Sequence, residues 1–364
     1  MTPPLAGTAT PQFAPVREAF AGLLADGQET GAALSVVLDD RAVVDLYGGW
    51  SDAARRLPFL PQTLVNAFSV GKPVAALAVL LLVERGQIGL DDPVRRHWPE
   101  FAGQGKAGVT VRHALSHTAG VPLFPVARGP QAYADWDLLA ADLAAVGPLW
   151  TPGAAAAEHA LTYGHLVGEL VRRVDGRSLG RFVADELAGP WRLDLAFGLG
   201  AADRRRAAEL EYGDPNWPAT TLGEPGSLRA RALGNPSGSL DLTVLNGDVW
   251  RAAEVPAVNL HATASALARL YANLLAGGAG LLGEGLVGEL TATQFDGPDR
   301  LLERRVRWTL GMQLEDDGTW GMGGNGGSTA YADRARGYAF AYVTRRLADH
   351  HRVDILIDAL DACL

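Results

Sequence analysis

Thr63-Leu64-Val65-Asn66-Ala67-Phe68-Ser69-Val70-Gly71-Lys72 runs directly into Pro73 and the apolar stretch Val74 to Val83. This pattern predicts a helix over Lys72 to Arg85, closed at Gly86, because a residue without Cβ readily takes the left-handed turn that ends a helix. Ser69 and Lys72 stand three apart at the start of that helix, so their side chains stack on one face, one turn apart. The unpaired N–H groups of a helix N-terminus point outward beside the serine. A hydroxyl, an amine that can take its proton and a backbone donor for the developing oxyanion are the parts that nucleophilic catalysis by serine requires. Ser-x-x-Lys also arises by chance, and its bland reading is a capped helix with a surface lysine.

Composition favours the chemical reading. Of 32 basic residues only Lys72 and Lys106 are lysines, in a chain that otherwise uses arginine. A guanidinium cannot give up its proton in a protein, whereas burial and neighbours can tune an amine into a base. Lys72 therefore stands out before any comparison is made.

The rest of the composition narrows the class. At 364 residues, 48% hydrophobic and 20% charged, the chain is large enough for two lobes or one large α/β domain and is not a disordered or fibrous sequence. A net charge of −9 argues against nucleic acid as a partner and against an anionic membrane surface. The apolar run Val74 to Val83 is 10 residues, half of what a membrane-spanning helix needs. The single cysteine, Cys363, excludes an intramolecular disulfide or a thiolate metal cluster. Met1 to Ala14 has neither a basic nor an apolar leader segment, and the expected compartment is cytoplasmic. A small-molecule substrate is the expected partner. Oligomeric state is not readable.

Along the chain, Pro15 to Asp26 predicts a helix, and Ala32 to Leu38 with Ala42 to Tyr47 predict a hairpin around Asp39-Asp40. The middle predicts helices at Leu138 to Ala145, Tyr163 to Val174, Leu179 to Leu187 and Thr263 to Leu275, broken by Gly and Pro clusters. Strands return at Val306 to Glu315, Ser328 to Ala332 and Gly337 to Thr344, before a last helix from about Asp349 to Cys363. Both termini are thus expected to join in one discontinuous α/β lobe, residues 15–75 and 300–364, interrupted by an α-rich lobe at 76–299.

Two other motifs fail their context. His113-x-x-x-His117 has the spacing of a metal pair, but position 114 is Ala where the metalloprotease pattern needs Glu, so no metal is expected. Gly321-Met322-Gly323-Gly324-Asn325-Gly326 matches Gly-x-Gly-x-x-Gly, yet it lies between two predicted strands rather than between strand and helix. A glycine-rich strand edge, where backbone approaches a ligand closely, is the better reading. Ala67-Phe68-Ser69-Val70-Gly71 lacks the first glycine of a nucleophile elbow.

Further segments carry a resemblance: Leu81-Leu82-Val83-Glu84-Arg85-Gly86, Trp98-Pro99-Glu100-Phe101, Leu115-Ser116-His117-Thr118-Ala119-Gly120, Trp150-Thr151-Pro152-Gly153, Leu161 to Leu170 and Glu254-Val255-Pro256-Ala257-Val258-Asn259. With Ser69 to Lys72, and in this order, they resemble the serine beta-lactamase and penicillin-binding-protein superfamily, nearest its class C-like esterase branch, over about residues 15 to 345. The resemblance implies a beta-lactamase-like α+β fold, with an antiparallel sheet flanked by helices, an α-rich lobe and a pocket between them. It implies Ser69 as nucleophile, Lys72 as its base, no cofactor, and a backbone N–H for the oxyanion from the Gly323 to Asn325 strand. Asn325 is the best register for that donor, with Gly324 beside it.

Two departures accompany the matches. Related esterases carry a Tyr where this chain has Glu158, and a His or Lys before the glycines where it has Met322. A carboxylate there is expected to pair with Lys72 and hold its proton, which weakens the base. His159 or Tyr163 remain candidates to face the pocket instead, and a core aromatic is the other reading of Tyr163. The leading expectation is a serine-dependent acyl-transfer hydrolase of a small-molecule ester or amide. A biosynthetic enzyme with altered catalytic residues, carrying out transacylation or cyclisation, and a catalytically silent binding protein are the alternatives.

Overall fold

The computed structural model describes residues 4–364. Nine strands form one fully antiparallel sheet: β1 Leu5–Ala9, β2 Gly31–Leu38, β3 Arg41–Gly49, β4 Phe295–Asp299, β5 Arg304–Trp308, β6 Gln313–Leu314, β7 Trp320–Gly323, β8 Thr329–Asp333 and β9 Tyr338–Thr344. Their order is β1-β3-β2-β9-β8-β7-β6-β5-β4, so the N-terminal hairpin and the C-terminal meander meet at the β2–β9 pair. The α+β architecture is as the resemblance implied.

β9 shows how the sequence builds two layers on this sheet. Tyr338, Phe340 and Tyr342 alternate with Ala339, Ala341 and Val343, and successive side chains of a strand point to opposite faces. The large residues pack under α1 (Ala14–Ala25) and the C-terminal helix, in a cluster with Phe20, Leu34, Leu46 and Leu356. The small ones face the main core and admit the helix Ala264–Leu275, which lies across β2, β8 and β9. That helix belongs to the sheet layer although it falls within residues 76–299.

α2 (Gly71–Glu84) is apolar and buried on every side, the signature of a central helix rather than an amphipathic surface one. α4 (Thr162–Asp175) and shorter helices pack against it, and α3 (Trp136–Ala145) packs on α4. We number the helix Ala264–Leu275 α5 and the C-terminal helix His351–Asp361 α6. Among the described residues no helix is long and apolar enough to cross a membrane.

Three features differ from the sequence reading. The stretch Val306 to Glu315 is two strands, because Thr309–Met312 turns the chain back at Gly311. β4 was not anticipated because Phe295-Asp296-Gly297-Pro298-Asp299 reads as a loop; it is an edge strand, where proline is tolerated. The glycine-rich stretch is β7, inside the sheet between β6 and β8, and the chain leaves the ladder after Gly323, at Gly324-Asn325, beside Ser69's loop.

Candidate active site

Ser69 sits in a tight turn ahead of α2. Val70, Gly71 and Lys72 donate their N–H groups back to Ala67, Phe68 and Ser69 at 3.3, 3.0 and 3.0 Å. Phe68 carries φ +51°, unusual for a bulky side chain, and such strain persists only where the surroundings over-determine it. Those surroundings are the Trp217 ring, edge-on to Phe68 at 6.4 Å, and Gly324. A Cβ on Gly324 would stand 2.3 Å from the Ala67 carbonyl oxygen, so only glycine lets β7's end come this close to the serine loop.

Lys72 Nζ donates to Ser69 Oγ at 2.8 Å and to the Ala257 carbonyl at 3.1 Å. The stacking expected from i, i+3 spacing is therefore present, and the lysine is fully buried rather than on the surface. The Ala257 carbonyl was missed at the sequence level, since a backbone oxygen leaves no side-chain signal. It reaches the site because Gly71 leaves room for the segment around Pro256 and Leu260, and because Asn259 ties that segment to Val255, Trp250 and Ala253.

Glu158 enters the same site. Its Oε1 lies 2.9 Å from Lys72 Nζ and 3.4 Å from Ser69 Oγ, which donates to it. Burial pushes the Lys72 amine below the ordinary lysine range, and the Glu158 carboxylate works against that shift. A buried ammonium without such a partner would be strongly disfavoured. The loop that carries Glu158 is pinned on both sides. Arg300 donates to the Ala156 carbonyl at 3.0 Å and Ala157 to the His117 carbonyl at 3.3 Å, while the His159 N–H donates to His117 Nδ1 at 3.0 Å. His117 is thus a scaffold for the Glu158 loop. Its former partner in the metal-pair spacing, His113, accepts the Thr110 N–H at a helix cap, so the two imidazoles do not converge.

Among the described residues the backbone N–H groups of Ser69 and Asn325 donate to no protein acceptor, whereas that of Gly324 is taken by the Ser328 carbonyl at 2.7 Å. Two donors are left open on the two segments that Gly324 holds together.

The remaining candidates lie away from the Ser69 hydroxyl. His159 does not face the serine: Nδ1 bonds the Ala157 carbonyl at 2.8 Å, Nε2 accepts the Val121 N–H at 3.2 Å, and burial lowers its pKa to about 4. Both nitrogens are committed to backbone, and the ring is neutral. Tyr163 is a core aromatic, tilted 33° against His117 with centroids 4.6 Å apart, its hydroxyl donating to the Leu115 carbonyl at 3.3 Å. Among the described residues the Met322 side chain makes no polar contact. It is buried in an apolar cluster with Ala156, Val306 and Trp308, underneath the Glu158 loop.

A sheet-and-helix fold with Ser-x-x-Lys at the mouth of a buried central helix, faced by a glycine-rich strand end, defines a serine hydrolase of the beta-lactamase-like superfamily. The Beta-lactamase family model matches residues 16–362, and the chain belongs to that family. It is 34% identical over 360 residues to the esterase/beta-lactamase LipL of Mycobacterium tuberculosis, covering 94% of this chain and 83% of that protein. Among solved structures, a family VIII carboxylesterase is 33% identical with a TM-score of 0.91, covering 99% of this chain and 100% of the other. A penicillin-binding protein homologue from Caulobacter crescentus is 37% identical with a TM-score of 0.89, over 99% and 100% of the two chains.

Proposed function

We propose that this protein hydrolyses a small-molecule carboxylic ester through an acyl-Ser69 intermediate, with Lys72 and Glu158 acting as one proton-transfer unit. The observation that carries the reading is the closed triangle of Ser69 Oγ, Lys72 Nζ and Glu158 Oε1, with sides of 2.8, 2.9 and 3.4 Å. As an ion pair the unit still has room for one more proton. Ser69 Oγ attacks the ester carbon while its proton passes to the Glu158 carboxylate, either directly or through Lys72, which takes the serine proton as it releases its own. The tetrahedral oxyanion is held by the Ser69 and Asn325 N–H groups. When the intermediate collapses, the carbon–oxygen bond to the alcohol breaks and the proton on the unit goes to the departing alkoxide. Water then repeats the attack with the same base, releasing the acid and restoring Ser69.

On this reading Glu158 does not simply weaken the lysine. It supplies the terminal proton acceptor that a neutral amine would otherwise have to be, and later the acid for the leaving group. The names of LipL and of the family VIII neighbour support an ester as substrate. An aryl phosphonate ester tests the proposal: stoichiometric, covalent labelling of Ser69 with loss of turnover, absent in Ser69→Ala, is the expected result. A parent that neither turns over aryl acetates nor takes the label would leave a binding protein. Mass analysis of products with an added alcohol separates hydrolysis from transfer.

A further inference from the structure

On the far side of the sheet from Ser69 lies a fully buried charge network that the chemistry above does not use. We infer that Arg352 and Glu29 are positioning residues for the oxyanion donor at Asn325, an inference that rests on the proposed roles of Ser69 and Asn325.

Asn325 sits in a turn whose own closure is a single bond, from the Gly327 N–H to the Gly324 carbonyl at 3.2 Å. Its neighbours are Gly323, Gly324, Gly326 and Gly327, and the last two have φ +90° and +108°. Glycine pays no steric penalty for such angles but gains no restraint from them either, so the direction of the Asn325 N–H depends on contacts from outside the turn. The Ala348 N–H donates to the Gly326 carbonyl at 3.2 Å, and Arg352, on α6, adds side-chain donors. Its Nη2 donates to the Gly326 carbonyl at 3.0 Å and to the Arg346 carbonyl at 2.8 Å, joining the glycine turn to the chain that follows β9. Its Nη1 donates to Glu29 Oε2 at 2.7 Å and to Thr344 Oγ1 at 3.1 Å.

Glu29, at the entry to β2, is in turn saturated. Oε2 also accepts from Thr344 Oγ1 at 2.7 Å and from the Tyr342 hydroxyl, and Oε1 accepts the N–H groups of Thr30 and Gly31 at 2.6 and 3.0 Å. On the strand side the turn is closed by Ser328, whose carbonyl takes the Gly324 N–H at 2.7 Å and whose Oγ takes the Thr344 N–H at 3.1 Å. The guanidinium fork is therefore fixed at one end by β2 and β9 and grips the glycine turn with the other. Buried ion pairs are in general replaceable by apolar residues with little loss of stability. Here the pair delivers two directed donors to backbone carbonyls, and an apolar side chain would leave the Gly326 carbonyl with the Ala348 N–H alone. The planar fork is what lets one side chain reach carboxylate and turn together, and lysine cannot do both.

The test compares an aryl ester with the matching thionoester, whose sulfur fits an oxyanion hole poorly, in the parent, Arg352→Lys, Arg352→Met and Glu29→Gln. Thermal midpoints are recorded alongside. A well-placed oxyanion donor is worth about 10²- to 10³-fold in kcat. Arg352→Met is expected to lose about 10²-fold in kcat on the oxygen ester, with KM within about threefold, and to lower the oxygen-to-sulfur rate ratio about tenfold. Arg352→Lys and Glu29→Gln are expected to fall between parent and Arg352→Met; Glu29→Gln keeps the side-chain shape and serves if Arg352→Met does not fold. Variants that keep the parent's oxygen-to-sulfur ratio, whatever their thermal midpoint, would reduce the network to a stability role and overturn the inference while leaving the esterase reading intact. A parent inert to ester and phosphonate alike would instead remove the esterase reading, and this inference with it.

Discussion

Lys72 Nζ and Glu158 Oε1 are 2.9 Å apart in a site where the lysine is wholly buried. Neither residue can be understood alone: burial favours the neutral amine, the carboxylate favours the ammonium, and Ser69 Oγ bonds to both.

The arginine variant of Lys72 separates charge from proton transfer. Lys72→Arg keeps a cation beside Glu158 but removes any relay through nitrogen. We expect the phosphonylation rate of Ser69 to fall at least 10²-fold. Retention of more than about a tenth of the parental rate would mean that less than roughly 1.4 kcal/mol depends on the amine, and that Glu158 takes the serine proton directly.

Replacing Glu158 by Gln should alter the shape of the pH profile as well as its height. Without the carboxylate the neutral Lys72 amine becomes the base, so activity requires the amine deprotonated. Burial depresses the lysine, and the charge and hydrogen bond of Glu158 that raise it in the parent have been removed. Acylation by an aryl ester should therefore drop at pH 7 and recover as pH rises, along a limb centred below the ordinary lysine value of about 10.4. An unchanged profile in Glu158→Gln would show that Glu158 is not part of the proton path.

Acid should unfold this protein through its histidines. Burial lowers His159 to about 4 and His165 and His261 to about 3, and holds His117 well below its ordinary value. Below about 6.5 the unfolded chain binds protons that the native state refuses, so stability is full above that pH and declines as pH falls toward 4. Each histidine contributes a slope of up to about 1.4 kcal/mol per pH unit. His165 is the cleanest probe, because among the described residues neither ring nitrogen has a hydrogen-bond partner and the ring lies between Trp136 and Phe124. Urea midpoints from pH 7 to 4.5 should show a shallower decline for His165→Leu than for the parent. Parallel curves would contradict the assignment.

Met322 offers a packing test. Met322→Leu keeps volume and polarity in the cluster with Ala156, Val306 and Trp308, and should cost less than about 1.5 kcal/mol with activity retained. Met322→His introduces the polar handle of related esterases into an apolar site and should cost about 1–3 kcal/mol for the unpaired imidazole. A Met322→His variant as stable as the parent and faster on esters would mean that the strand end has a polar outlet the cluster does not reveal.

Much of this protein was legible in one dimension. The run Ser69 to Gly86 specifies a buried helix with a hydroxyl and an amine one turn apart, because helical spacing converts sequence distance directly into side-chain proximity. The alternation of Tyr338, Phe340 and Tyr342 with alanines likewise specifies a strand buried on both faces. The replacement of a tyrosine by Glu158 was visible as a departure from a motif, and so was the expectation of its pairing with Lys72. Tertiary structure decided the rest. Whether Glu158, His159 or Tyr163 faces Ser69 depends on a loop held by His117 and by the end of β4, an edge strand with the composition of a turn. The Ala257 carbonyl at Lys72, the open N–H of Asn325 and the grip of Arg352 on Gly326 all run through backbone atoms. Every residue carries those atoms alike, so their placement is fixed by which glycines and buried charges the fold brings against them, and not by any letter at the position itself.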